Sequence, residues 1–209
     1  DEERKKINVE AATLVGSVAL KSGARLLHVS SISAVGVPPE GAVADEKCVF
    51  NNEKDHYSLT KFQGERRLKE LVNQGLDVVF VCPSNVIGHY RMKEIQKKNI
   101  QGIVSGSMWV YPSGGICLAD VDDVVRGIFS AWKIGRRGER YILGGKNITY
   151  KEYFREIALA AVGSTPWLKL PGSLMLLMGH VIENVYSLCG KTPFIDVNTC
   201  RMISRNLFY

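Results

Sequence analysis

The stretch "DHYSLTKFQGE", Asp55 to Glu65, places a phenol and an ammonium four residues apart. On a helix, Tyr57 and Lys61 share one face, one turn apart. A free phenol titrates near pH ~10 and is a poor base at neutrality. An ammonium held beside it stabilises the phenolate. Moving the titration by roughly three units takes about 4 kcal/mol of differential stabilisation, which a partly desolvated site with a second positive charge can supply. By itself, a Tyr and a Lys at this spacing is most often a solvated pair on an amphipathic helix, so the chemistry depends on what surrounds it. A second reactive feature is the serine pair Ser30 and Ser31 in "HVSSISAVG", at the end of a short apolar run.

Alternating elements would position these groups. "INVEAATLVGSVALKSG" has apolar residues at helical spacing and stops at Gly23. "RLLHVS" reads as a buried strand, followed by a polar loop with Pro38, Pro39 and Gly41. The Tyr57 helix runs to about Gln74 and is closed by Gly75. "DVVFVC" is a continuous apolar run, as expected of a parallel strand covered on both faces, and Pro83 ends it. "MKEIQKKNIQGIVSG" and "VDDVVRGIFSAWKIG" read as helices, and "RYILGG" as a strand. Thr149 and Glu152 form a capping box for the helix that follows, and the tail from Pro166 is mainly helical. The order predicts an α/β fold with a doubly wound parallel sheet. Ligands bind such sheets at the carboxyl ends of the strands. Those ends are Ser30 and Ser31, Pro83 to Gly88, and the segment before Val121.

Composition narrows the classes. The 209 residues are 45% hydrophobic and 23% charged, with a net charge of +6, ordinary values for a globular chain. The basic residues are scattered and mostly neighbour acids, so a solvated face is favoured over a nucleic-acid surface. Five cysteines without CxxC spacing read as reduced thiols. His28, His56, His89 and His180 form no metal-ligand pattern, so no metal is expected. The apolar run in "LPGSLMLLMGHVIENVYSLCG" is too short to span a bilayer of ~20 residues. It reads as a helix packed on its own domain or, less favoured, lying on a membrane surface; the expected location is cytoplasmic.

Taken in order, these motifs resemble the extended short-chain dehydrogenase/reductase family, the NAD(P)-dependent epimerase/dehydratase group. "INVEAA" is similar to its Asn-Val-x-Gly segment, with Asn8 as the Asn. "VSSISAVG" is similar to its strand-end serine motif and "YSLTK" to its Tyr-x-x-x-Lys. "PSNVIG" is similar to its Pro-containing turn beside the nicotinamide, and "LADVDDV" to its His-Val-Asp-Asp element, with Asp120 where His is usual. The resemblance implies that Tyr57 is the general acid/base and that Lys61 lowers its pKa and holds the nicotinamide ribose. It implies that Ser31 hydrogen-bonds the substrate oxygen, while Ser30 serves the backbone turn. Tyr57, Lys61, Pro83, Ser84 and Asn85 would contact NAD or NADP. The other reading of Ser31 is a cap for the next turn.

No Gly-x-Gly-x-x-Gly or Gly-x-x-Gly-x-x-Gly loop occurs. The resemblance therefore implies that the first half of the nucleotide-binding sheet, roughly 80 residues, lies outside this sequence; a short natural variant is the alternative. Leu26 to Val29 should then form an open sheet edge. Residues 1–145 would be the later part of a Rossmann-like domain, with 84–115 partly serving the substrate side, and 146–209 a small, mainly helical substrate lobe. Ile32 and Ser33 stand where dehydratases carry acids, and Cys82 where an Arg often precedes the Pro. The pattern is closer to dihydroflavonol reductase-like, hydroxysteroid dehydrogenase-like and hopanoid-associated epimerase-like members. The leading expectation is hydride transfer at a secondary alcohol or ketone of a small-molecule substrate, possible as a homodimer. The alternatives are a sugar-nucleotide epimerase with tightly held NAD, and a non-catalytic NAD(P)-sensing or scaffold protein.

Overall fold

A computed structural model describes the chain except residues 1, 89–93, 191, 192 and 194. The first helical stretch is continuous: α1 (Glu2–Lys5), a π turn (Lys6–Ala11) and α2 (Ala12–Ser22). Gly23 ends it in the left-handed region, φ 68°, which a residue without Cβ adopts at little cost. Next come β1 (Leu26–Val29), α3 (Ile32–Val35), α4 (His56–Val72) and β2 (Val78–Pro83). β3 (Asn85–Ile87), α5 (Glu94–Val104), β4 (Val110–Pro112), β5 (Gly115–Asp120) and α6 (Val121–Ile134) follow. The chain continues with β6 (Arg140–Leu143), β7 (Lys146–Thr149), α7 (Tyr150–Ala160), β8 (Leu168–Leu170), α8 (Gly172–Leu188), α9 (Val197–Ile203) and β9 (Asn206–Leu207). Met92 and Lys93, the expected start of α5, lie outside the described residues, as does His89.

The main sheet is parallel, in the order β1-β2-β6. Successive side chains of β2 point to opposite faces. Val78 and Phe80 pack with Leu68, Leu76 and Ala19 under α4 and α2, while Val79 and Val81 pack with Ala131 under α6. That two-sided cover is why the run is apolar throughout. Among the described residues β1 pairs only with β2, so its other edge is open, in line with the expectation for Leu26 to Val29.

A second sheet was not visible as a unit in the local pattern. β5 is at its centre, pairing in parallel with β3 and β9 and antiparallel with β7. A two-stranded ribbon, β4 with β8, lies apart from it. Ile103, Tyr111, Phe154 and Ala158 form the core beside that ribbon. The Thr149–Glu152 capping box forms as the sequence indicates. No helix among the described residues is long and apolar enough to cross a membrane.

Candidate active site

The site begins where β1 stops. The Ser30 N–H donates to the Val81 carbonyl at 2.8 Å, carrying the ladder one residue past the strand. Ser30 is buried, with its hydroxyl beside the Cys82 thiol and making no well-formed hydrogen bond, so the turn-holding job expected of that side chain is not seen. Ser31 takes it instead: as N-cap of α3, its Oγ accepts from the Ser33 N–H at 3.2 Å. α3 packs against α4, the helix that carries Tyr57 and Lys61.

α4 starts where it does because Asp55 caps it, Oδ2 accepting from the Ser58 N–H at 2.7 Å. Tyr57 therefore falls in the first turn, 39% exposed, at the positive end of the helix dipole. One turn on, the Lys61 Nζ donates to the Val29 carbonyl at 3.4 Å, so the ammonium lies at the end of β1. Burial lowers the Lys61 pKa, and the Glu65 carboxylate opposes that shift. The helix is seated from behind: Asn8 Nδ2 donates to Thr60 Oγ1 at 3.0 Å, and Thr60 Oγ1 donates to the Tyr57 carbonyl at 3.1 Å. The π turn brings the Asn8 backbone up to Gly64, where there is no space for a Cβ. From the other side, Asn198 Nδ2 on α9 donates to the Lys54 carbonyl at 3.0 Å, pinning the loop ahead of α4.

The β2 end contributes Pro83, Ser84 and Asn85. Ser84 is buried with its hydroxyl unpartnered, while Asn85 Nδ2 donates to the Cys117 carbonyl at 3.3 Å. Two buried hydroxyls, Ser30 and Ser84, thus follow the ends of the neighbouring strands β1 and β2. The sequence holds no glycine-rich loop for the pyrophosphate. A cavity of about 570 Å³, lined by Pro38, Glu40, Asn51, Ser113, Lys169 and Arg205 among others, opens beyond the loop that leads on from Ser31 and α3.

Two of the departures from the family pattern, Asp120 and Cys82, make local contacts. Asp120 caps α6, its Oδ1 accepting from the Asp122 N–H at 2.8 Å. The Cys82 thiol is buried and donates to Glu65 Oε1 at 3.6 Å. Glu65 itself is only 1% exposed and is paired with Arg140 of β6. Neither residue was a candidate from sequence; the one local signal is that Glu65 follows Lys61 by four positions.

A parallel sheet with β2 covered by helices on both faces is a Rossmann-like fold of the short-chain dehydrogenase/reductase type. The profile of the NAD dependent epimerase/dehydratase family matches residues 1–144, and the chain belongs to that NAD(P)-dependent family. A Synechocystis sp. protein provisionally named a dihydroflavonol 4-reductase is 30% identical over 97% of this chain and 61% of its own length. The "Sterol demethylase protein B" of Methylococcus capsulatus is 28% identical over 95% of this chain and 62% of its own length. The chain thus spans about six-tenths of the length of these relatives. The structure of gox2253 superposes with a TM-score of 0.82 at 29% identity, over 100% of this chain and 64% of that one. That of PA4631, a nucleoside-diphosphate-sugar epimerase from Pseudomonas aeruginosa, gives 0.72 at 25% identity, over 97% and 68%.

Proposed function

We propose that the protein transfers hydride between NAD(P) and a secondary alcohol or ketone, with Tyr57 as general acid/base. The observation that carries this reading is the Lys61 ammonium, placed at the end of β1 one turn from Tyr57 and partly withdrawn from water. The cofactor supplies the hydride donor or acceptor. Tyr57 passes a proton to or from the substrate oxygen, and Lys61 favours the charged phenolate. Ser31 steadies the same oxygen by hydrogen bonding. Pro83, Ser84 and Asn85 flank the nicotinamide, with the Ser84 hydroxyl free to bond it. The names of the two curated relatives favour a ring-bound alcohol or ketone over a sugar nucleotide.

Residues 1–145 would serve the cofactor, with 84–115 partly on the substrate side, and 146–209 would serve the substrate; β5 pairs with β3 from the first part and with β7 and β9 from the second. A second reading, a sugar-nucleotide epimerase, is favoured by the likeness to the Pseudomonas aeruginosa protein. It predicts tightly held NAD and no net redox change. The test uses the full-length protein with a panel of cyclic ketones and either reduced nicotinamide cofactor. Tyr57→Phe should abolish turnover and leave cofactor affinity within a few-fold; undiminished turnover would end the acid/base assignment.

A further inference from the structure

The outer face of α8 is apolar and exposed. Met175 and Gly179 turn inward, where α9 comes so close that a Cβ at Gly179 would stand 3.1 Å from Cys200 Sγ and 3.2 Å from the Val197 Cα. The one charged side chain of α8, Glu183, is tied to α9, its Oε1 accepting from the Val197 N–H at 2.7 Å. Facing out are Leu174, Leu177, Met178, Val181, Val185 and Leu188, with Leu177 60% and Leu188 87% exposed. On a helix these six positions fall within a stripe about 100° wide. We propose that this stripe is an interface between two copies of the chain, with α8 packing antiparallel on its own counterpart across a two-fold axis at Val181.

A two-fold interface must be self-complementary, because each copy offers the same patch. Across an antiparallel helix pair, a residue a given number of places after the axis meets the residue as many places before it. The stripe meets that condition about Val181. Leu174 and Leu188 stand seven places to either side, so each meets the other. Leu177 and Val185 stand four places to either side and do the same, and Val181 meets itself. Met178 comes opposite Asn184, toward the rim. Charge points the same way. Across a two-fold axis a charged patch meets its own like, which costs affinity. The exposed polar residues of α8 are Ser173, His180, Asn184 and Ser187, with no Asp, Glu, Lys or Arg among them. The same lack of Lys and Arg disfavours an anionic membrane, whose surface helices are basic on the polar side. A pair of four-turn helices is small beside the roughly 800 Å² per partner of a standard interface, so the association should depend on concentration.

The experiment uses the full-length protein carrying Cys189→Ser, which removes the exposed thiol next to the stripe. Helices packed about 8–10 Å apart bring facing Cα atoms within the reach of a disulfide, about 4.4–6.8 Å. Val181→Cys should therefore form a covalent dimer on copper–phenanthroline oxidation, about tenfold or more faster than Ser187→Cys on the polar side of the same helix. In sedimentation velocity without oxidant, Val181→Glu sets two carboxylates against each other at the axis. It should weaken self-association by about tenfold or more and leave the melting temperature within a few degrees of wild type. Equal crosslinking of the two cysteines, or self-association that Val181→Glu leaves unchanged, overturns the proposal. Two other occupants would overturn it as well. A protein that stays monomeric and co-sediments with phosphatidylcholine–phosphatidylglycerol vesicles, unless Val181 is replaced by Glu, has a membrane face there. A Val181→Cys thiol that resists a disulfide reagent in the folded monomer is covered by the protein's own chain.

Discussion

Gly64→Ala sets two effects of known size against each other. In the middle of a helix, alanine is better than glycine by about 1 kcal/mol, and propensity alone predicts a stabilised protein. A Cβ at Gly64, however, would lie 2.1 Å from the Asn8 carbonyl oxygen and 3.2 Å from its carbon. Ordinary contact is roughly 3.5 Å, and the obstacle is backbone, so α4 must retreat from the π turn by about 1 Å. Overpacking of that kind costs about 1–3 kcal/mol. Stretching the 3.0 Å bond from Asn8 to Thr60 adds about 1 kcal/mol. The net expectation is a loss of about 1–3 kcal/mol, read from urea unfolding of the full-length protein without cofactor. Gly127→Ala on α6 is the control, since its nearest neighbours are the flexible Cδ atoms of Leu143, at 2.7 and 3.3 Å; it should stay within about 1 kcal/mol of wild type. Tyr57 and Lys61 move with α4, so turnover of Gly64→Ala should fall by roughly 10²-fold. A Gly64→Ala protein as stable as wild type would refute the close approach of Asn8 to α4.

Other perturbations probe separate parts of the structure. The buried His28 titrates at about 4 when folded and near 6.5 when unfolded, so the unfolded chain takes up the proton first as pH falls. Its stabilisation is full above pH 6.5 and is lost on the way down to 4. His28→Phe should flatten the pH dependence of the melting temperature in that window, by up to about 3 kcal/mol of stability at pH 4; an unaltered slope would show that His28 is solvated. Among the thiols, the exposed Cys189 should react first with a disulfide reagent at pH 8, while buried Cys82 and Cys117 wait for unfolding. Fast labelling of Cys82 in the folded protein would contradict its place between β2 and α4. Thr149→Ala opens the capping box at the start of α7, where Thr149 Oγ1 accepts from the Glu152 N–H at 3.2 Å. It should cost about 1 kcal/mol in thermal or urea unfolding.

What could be read from sequence is what the chain encodes locally. The apolar run at Val78–Val81, the stop at Gly23, the Thr149–Glu152 box and the four-residue step from Tyr57 to Lys61 each involve neighbours in the chain, and each appears in the structure. The second sheet was hidden because β5 is completed by β9, a two-residue strand about ninety positions later, and by β3, three residues long. Segments that short carry no period to detect. The π turn was hidden for a related reason: it packs Asn8 against Gly64 of α4, a tertiary contact between segments over fifty residues apart.

The buried pair of Glu65 and Arg140 shows the same division inside the site. A lysine four residues after a tyrosine is visible in the sequence; the buried carboxylate one turn further on is not. Glu65 is held by an arginine 75 positions further on and by a thiol standing where the family often has an arginine. Cys82 is the informative departure. At that position on β2 the side chain points into the layer between the sheet and α4, so a long cation there would compete with Arg140 for the same carboxylate. A small thiol leaves Glu65 to Arg140, which comes from the next strand. Replacing Cys82 with Arg should therefore do more than overfill the core: it should put two buried cations against one anion and displace Arg140. A Cys82→Ser protein, which keeps a donor of similar size toward Glu65 Oε1, should fold and retain turnover. Loss of turnover in Cys82→Ser with stability unchanged would assign the thiol a direct role that this geometry does not give it.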